Sequence, residues 1–149
     1  MKISAHISDI LRDKSGGVWT VGPDATVFDA ISLMAEKNIG AIPVVEAGQV
    51  LGLISERDYT RKVVLKGKSS RETRIGEIMA TPVVTVTSAT SIDACMQLVT
   101  SHRIRHLPVV EGGQLIGMIS IGDLVNWIIS AQDAALNQME SYIMAGYSA

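Results

Sequence analysis

The chain has 149 residues, a formal net charge of −2 and 47% hydrophobic residues. This length and hydrophobic content suffice for one compact domain or two small fused ones, and they exclude a disordered chain. The small net charge argues against a nucleic-acid-binding protein, because such proteins usually carry a strongly basic face.

The chain has a single cysteine, Cys95, so it cannot hold an internal disulfide. Cys95 falls on the apolar side of a predicted helix, which favours a buried core residue over a reactive nucleophile. No stretch reaches the roughly 18 apolar residues of a membrane span, and the first residues lack the apolar run of a secretory signal. We therefore predict a cytoplasmic protein that binds neither membranes nor nucleic acid.

The sequence repeats itself without a gap when it is shifted from Pro43 to Pro108. Residues 18–21 fall on residues 83–86, and residues 42–46 (IPVVE) fall on residues 107–111 (LPVVE). Further identities follow at Gly52 and Gly117, and at Asp58 and Asp123. Such clustered identities indicate two copies of one structural unit.

Each copy is predicted to form a strand, a helix, two strands and a second helix. In the first copy these are residues 18–21, 26–37, 41–45, 50–54 and 56–65. In the second copy the strands are residues 83–86, 106–110 and 115–119, and the last helix runs from about residue 122 to residue 144. Thr26 with Asp29, and Thr90 with Asp93, have the spacing of a capping box at the start of the first helix. The paired strands read as near-continuous apolar runs, which predicts burial on both faces.

One unit of about 50 residues buries too little surface to be stable alone. We therefore expect an α+β fold in which the two pseudo-twofold related copies pack sheet to sheet. The predicted division is an N-terminal segment packing on the pair (1–17), repeat 1 (18–65), a connector (66–82), repeat 2 (83–130) and a C-terminal helical extension (131–149). Polar residues 66–74 favour a solvated connector over a binding patch. The apolar stripe of the long last helix favours dimerisation over packing on its own fold.

Each copy carries a pair of motifs: IPVV followed by GLISERD at residues 42–45 and 52–58, and RHLPVV followed by GMISIGD at residues 105–110 and 117–123. With these motifs, the repeated segments resemble cystathionine β-synthase (CBS) domains. The resemblance covers about residues 8–130 and identifies a stand-alone CBS pair. It implies two pseudo-symmetric clefts that bind AMP, ADP, ATP, S-adenosylmethionine or nicotinamide dinucleotides such as NAD(H). It also implies a regulatory role without catalysis, and dimers of pairs.

The second copy carries residues suited to a nucleotide at its last strand–helix junction. A carboxylate at Asp123 can accept two hydrogen bonds from a ribose diol. Ser120 and the first amides of the helix can approach phosphate oxygens, and Gly122 leaves room for the ligand. The resemblance places Arg105 and His106 near the phosphates.

Strand alternation puts Arg103 on the same side as Arg105. In the first copy the equivalent positions hold Gly40 and Ala41, whose small size lets an adenine ring lie against the backbone, with Ile42 as an apolar contact. One side is thus shaped for a base and the other is charged for phosphate. We predict that this cleft, which ends in Asp123, is the better site, with AMP as its first candidate ligand.

The other cleft ends in Ser55 and Asp58, and Asp58 can take the same ribose role. Arg57 stands where the second copy has a glycine. Either Arg57 or Arg61 supplies the phosphate contact, which we favour, or Arg57 fills the cleft and weakens it. Two unequal clefts would permit two different ligands.

Plainer interpretations exist for several of these residues. Asp58 and Asp123 have the usual chemistry and position of helix caps, and a residue can do both jobs. Arg103 and Arg105 can equally be solvent-facing charges.

His102 and His106 are four residues apart, but the helix should end between them and no acidic or cysteine ligand completes the set, so we predict no metal. No nucleophile–His–Asp arrangement and no phosphate loop is present. The sequence therefore predicts a regulatory adenine-nucleotide sensor that is not an enzyme, and that controls an unspecified partner protein. The alternative is a structural or protein-interaction module with vestigial clefts.

Overall fold

The structure is a computed structural model that describes residues 5–14 and 17–147, with side chains through residue 145. Its mixed α+β architecture consists of two small antiparallel sheets surrounded by helices, as predicted. The helices are α1 (Ile7–Asp13), α2 (Val27–Lys37), α3 (Glu56–Tyr59), α4 (Ile75–Ile78), α5 (Ile92–Ser101) and α6 (Ile121–Tyr147). The strands are β1 (Ala41–Glu46), β2 (Gln49–Ser55), β3 (His106–Glu111) and β4 (Gln114–Ser120).

The two hairpins, β1–β2 and β3–β4, repeat the same register. Ala41 pairs with Ser55 and His106 pairs with Ser120, and the register of each hairpin shifts between the two consecutive valines of its first strand. The turn of one hairpin reaches the other, because the Leu115 amide donates to the Gly48 carbonyl at 3.1 Å. This contact joins the two sheets, which agrees with the predicted pairing of two copies.

Each copy has its own apolar core. One cluster contains Val27, Met34 and Ile54, and the other contains Ile92, Leu107 and Ile119. Each of these side chains is at most 2% exposed. Cys95 belongs to the second cluster, which confirms its prediction as a core residue. Burial raises the pKa of the Cys95 thiol to about 11.

The predicted first strands at residues 18–21 and 83–86 are wrong in extent. Only Val21 and Val86 form ladder contacts, as single parallel bridges to Val44 and Val109. The Val45 amide bonds the Val21 carbonyl at 2.8 Å, and the second copy repeats this bond. Each predicted first strand is thus reduced to one bridge on the second edge of β1 or β3.

Burial of the strands on both faces is also wrong for β2 and β4. These strands alternate between buried and partly exposed residues, and Ile116 in β4 is 45% exposed. Only β1 and β3 are buried over several consecutive residues. Of the β4 positions that are not fully buried, Ile116, Met118 and Ser120 line the cavity described below.

The capping box at Thr26 and Asp29 is confirmed, with the Asp29 amide donating to Thr26 Oγ1 at 3.2 Å. The box predicted at Thr90 and Asp93 is wrong by one residue. The cap of α5 is Ser91, whose hydroxyl accepts from the Ala94 amide at 3.1 Å. Thr90 instead closes the preceding turn, where its hydroxyl accepts from the Thr87 amide.

The last helix of each copy differs from its prediction. In the first copy α3 covers one turn and continues as a π-helix at Thr60–Val64, in place of one α-helix over residues 56–65. In the second copy α6 extends to Tyr147, three residues beyond the predicted end. The chain between the copies is not only a solvated connector, because Thr73 is buried and α4 inserts Ile75 and Ile78 into the first core.

The N-terminal helix α1 packs against the second copy. Ile7 and Ile10 are buried in the second core, and the Ile7 amide bonds the Thr90 carbonyl at 2.9 Å. Leu11 lies directly over β4, where a Cβ built on Gly117 would meet its side chain at 2.7 Å. The glycine therefore permits a close approach that carries the end of α1 to the edge of the cleft.

Candidate functional site

A cavity of about 460 Å³ lies between the two copies. It brings together residues of both copies. Gly40 and Ala41 lie at the start of β1, His106 lies at the start of β3, and Ser120 lies at the end of β4. Its volume falls in the usual range of small-molecule sites, roughly 300–1,000 Å³. A second cavity of about 210 Å³ adjoins it and contains Asp123.

Four of the predicted residues thus line the larger cavity, from both copies, while Asp123 lies in the adjoining one. Gly122 is exposed at the start of α6. Arg103 and Arg105 are exposed and do not line either cavity. Ile42 is fully buried in the first core, so its side chain packs inside the protein and not against the cleft.

Asp123 is held at the first turn of α6. Its Oδ2 accepts from the Ser120 amide at 2.9 Å, and its own amide donates to Ser120 Oγ at 3.1 Å. The same Oδ2 accepts from Lys14 Nζ at 2.8 Å. Partial burial raises the pKa of Asp123, but the hydrogen bonds from Lys14 and Ser120 outweigh this effect and hold the pKa below its usual value. The carboxylate is therefore charged at neutral pH, and it also caps its helix.

His106 lies on the wall of the larger cavity, and its pKa depends on the charged groups around it. Burial lowers the pKa of His106, and the positive charges of Lys14 and Arg105 lower it further, against an opposing effect of Asp123. The imidazole is therefore neutral near pH 7 and offers both a donor and an acceptor nitrogen to a ligand.

The lowered pKa of His106 makes stability depend on pH. The unfolded chain binds a proton near pH 6.5, whereas the folded protein binds it only at a lower pH. The stabilisation is thus present above about pH 6.5 and is lost as the pH falls through the folded-state pKa. We expect the urea midpoint to fall between about pH 7.5 and pH 5.5, and to fall less in His106→Asn. His102→Asn, which removes an exposed histidine, is the control; an unchanged slope in His106→Asn would contradict the assignment.

The counterpart of this site in the first copy is built differently. Ser55 and Asp58 form the same box, with the Asp58 amide donating to Ser55 Oγ at 3.2 Å. Lys62 from the same helix pairs with Asp58 at 3.1 Å. Arg57 and Arg61 are exposed, and none of these residues lines either of the two cavities. Of the two cavities, the larger one therefore lies beside Ser120 and not beside its counterpart Ser55.

Among the residues of the larger cavity that were not predicted from the sequence, Trp19 and Lys14 have the side chains best suited to bind a ligand. Trp19 is 46% exposed, and Lys37 Nζ lies 4.3 Å from its ring centre. Lys14 reaches the cavity from the end of α1. Trp19 falls on Val84 in the repeat, and this loss of symmetry was the one signal that could have marked it. Lys14 has no such signal, because its partners lie more than 100 positions along the chain.

The CBS domain family matches the chain at residues 7–65 and 75–130. The chain belongs to the CBS-domain family. The two matched segments are the two copies described above, together with α1 in the first segment and α4 in the second. The resemblance identified from the repeated motifs is therefore confirmed.

Stand-alone CBS-domain proteins are among the relatives of the chain. It is 40% identical to the mitochondrial CBS domain-containing protein CBSX3 of Arabidopsis thaliana, over 97% of this chain and 74% of that one. It is similar in structure to a CBS-domain protein of Burkholderia ambifaria, described as a candidate signal-transduction protein. That match has a TM-score of 0.82 and 50% identity over 86% of this chain and 96% of the other. The sequence and structure comparisons thus agree on the CBS pair.

One enzyme also shares the CBS pair. The chain is 32% identical to inosine-5′-monophosphate dehydrogenase of Thermoplasma acidophilum, but the match covers only 22% of that enzyme. The match thus concerns a CBS segment within a different architecture.

The described CBS pair contains no group of three or more His, Cys, Asp or Glu residues placed to hold a metal ion. No helix within residues 5–14 and 17–147 is long and apolar enough to cross a bilayer. The predicted cytoplasmic location stays a prediction, because one relative is mitochondrial.

Proposed function

We propose that this CBS pair is a regulatory module without catalysis, which binds an adenine nucleotide in the cavity between its copies. The observation that carries the proposal is the composition of this cavity. Small residues and an aromatic ring line one side, at Gly40, Ala41 and Trp19, and hydrogen-bonding groups line the other, at His106 and Ser120. A base needs a flat apolar surface, and a phosphate needs hydrogen-bond donors, so the two walls suit the two ends of one nucleotide.

The start of α6 supports the placement of the sugar and phosphate. Asp123 uses Oδ2 for its bonds to Lys14 and Ser120, and Oδ1 accepts no hydrogen bond from any described residue. Oδ1 can therefore accept from a ribose hydroxyl. The N-terminus of this 27-residue helix carries the positive end of the helix dipole, which favours a phosphate nearby. AMP is the smallest ligand that uses all of these groups.

Binding of AMP is tested by thermal unfolding. A ligand present at 100 times its dissociation constant stabilises a protein by about 2.7 kcal/mol. For a domain of this size, that free energy raises the melting temperature by about 5–10 °C. We expect such a shift with AMP and a smaller one with GMP, whose base differs. If AMP, ADP, ATP, NAD(H) and S-adenosylmethionine at millimolar concentrations all leave the melting temperature unchanged, the nucleotide function is wrong.

We propose further that the module works as a homodimer, with the exposed stripe of α6 packed on a second copy. Ile129, Leu136 and Ile143 recur every seven residues and are between 50% and 57% exposed. Asp133 and Glu140 flank this stripe, and α6 carries no lysine or arginine. A seven-residue apolar repeat is typical of helices that pack against another helix.

The surface that complements this stripe is on the same chain. Residues 57–74, here called the basic edge, contain seven basic and two acidic residues. Val64 and Leu65 within the basic edge are 51% and 72% exposed. In a dimer with a twofold axis, the acidic apolar helix of each copy can pack on the basic apolar edge of the other copy. The dimer then contains two equivalent contacts. Self-pairing of the two α6 stripes lacks this charge match.

A further inference from the structure

Lys14 is the residue that the two cavities share. Its Nζ donates to Asp123 Oδ2 at 2.8 Å and to the Met118 carbonyl at 2.7 Å. It connects the N-terminal helix to the last strand of the second copy and to the first turn of α6. An ammonium group has three donor hydrogens, so one donor remains beyond these two bonds.

Lys14 also determines the charge of the larger cavity. Among the described residues that line this cavity, Lys14 carries the only formal charge, since His106 is neutral near pH 7. None of the described acidic side chains lines it. The wall of the cavity therefore offers a ligand one cation, and Asp123, which pairs with this cation, lies in the adjoining cavity.

The lysine that pairs with the aspartate comes from a different element in each copy. In the first copy Lys62 pairs with Asp58 from one turn along the same helix, and it also bonds the Ile78 carbonyl at 2.9 Å. In the second copy the equivalent helix position holds Trp127, so the helix supplies no cation of its own. Lys14 from the N-terminal segment takes that place beside Asp123.

The backbone of Lys14 is fixed by packing. Lys14 is the residue that ends α1, and its amide donates to the Ile10 carbonyl at 3.0 Å. Ile7 and Ile10 of this helix are buried in the second core, and Leu11 contacts β4 over Gly117. The packing of α1 therefore fixes where the Lys14 side chain begins beside Asp123.

We propose that Lys14 is the specificity-determining residue of this cleft, which selects phosphorylated adenine ligands over uncharged adenosine. This inference rests on the proposed function, since it assumes that the cavity binds an adenine compound. When a ligand places its phosphate in the cavity, Lys14 binds the phosphate and Asp123 accepts a hydrogen bond from the ribose. The ion pair between Lys14 and Asp123 holds both groups in position before binding.

The experiment is calorimetric titration of the full chain and of Lys14→Met with AMP and with adenosine. The wild-type protein should bind AMP more tightly than adenosine. The Lys14→Met variant should lose about tenfold to hundredfold in affinity for AMP, the value of one charge-assisted hydrogen bond, and change little for adenosine. Lys62→Met, which removes the equivalent ion pair in the first copy, is the matched control and should keep both affinities. Lys14→Arg should keep the preference for AMP.

The ratio of the two affinities separates the two proposals. If Lys14→Met keeps the wild-type ratio, or if the wild-type protein binds AMP and adenosine equally well, Lys14 is not the selecting residue and nucleotide binding still stands. If the wild-type protein binds neither compound, and ADP, ATP, NAD(H) and S-adenosylmethionine also leave its melting temperature unchanged, the proposed function itself fails. A general loss of stability lowers both affinities together, so it leaves the ratio unchanged.

Discussion

Asp123→Ala is expected to weaken the binding of AMP at least about a hundredfold. Two charge-assisted hydrogen bonds from a ribose diol are worth about 1.5–3 kcal/mol each, and about 1.4 kcal/mol corresponds to a factor of ten. The substitution also frees Lys14, whose ion pair with Asp123 is lost. Calorimetric titration with AMP measures the change directly.

Asp58→Ala is the matched control for this experiment. Asp58 closes the same type of box with Ser55 and pairs with Lys62, so its removal deletes the same local bonds in the first copy. Each substitution should lower stability to a similar extent, because each removes the carboxylate half of a capping box and leaves the serine cap in place. AMP affinity should fall only in Asp123→Ala. Equal losses in the two variants would show that the cap, and not a ribose contact, controls binding.

Truncation after Ile129 is expected to convert a dimer to a monomer while AMP binding remains. The truncation removes Leu136 and Ile143 from the exposed stripe together with the acidic residues that flank it. It leaves every described residue of the larger cavity in place. The mass in solution, measured by light scattering, reports the first effect, and titration with AMP reports the second.

A charge exchange tests whether the basic edge is the partner surface. Asp133→Lys combined with Glu140→Lys should weaken the dimer by opposing the basic edge of the second copy. Adding Lys66→Glu and Lys68→Glu to the same chain should restore it. A full-length protein that is monomeric at micromolar concentration, or a charge exchange without rescue, would sink the proposed pairing.

The hairpins were predictable because their sequence patterns are local and occur in both copies. The near-continuous apolar runs and the glycine turns recur at the same offset in both copies, and the two registers are equivalent in the structure. The first strands were over-predicted because residues 18–21 have the composition of a strand, yet only Val21 finds a partner strand. Whether a β-rich segment forms a strand depends on a neighbour that composition does not reveal.

The cleft was predicted in part for the same reason. Gly40, Ala41, His106 and Ser120 occupy repeated positions, so the symmetry of the two copies brought them to one place. Lys14 was missed because its contact with Asp123 spans 109 positions and depends on how α1 packs. Ile42 was assigned to the ligand, although its side chain points into the core, because strand alternation alone does not fix which face is buried.

The burial of Cys95 has a practical consequence for chemistry on this protein. With a pKa of about 11 and no solvent exposure, its sulfur stays protonated at neutral pH and reacts slowly with oxidants and alkylating reagents. A second cysteine introduced on the surface would then be the reactive thiol of the chain. The protein can thus carry a single fluorophore or spin label without any change to its native cysteine.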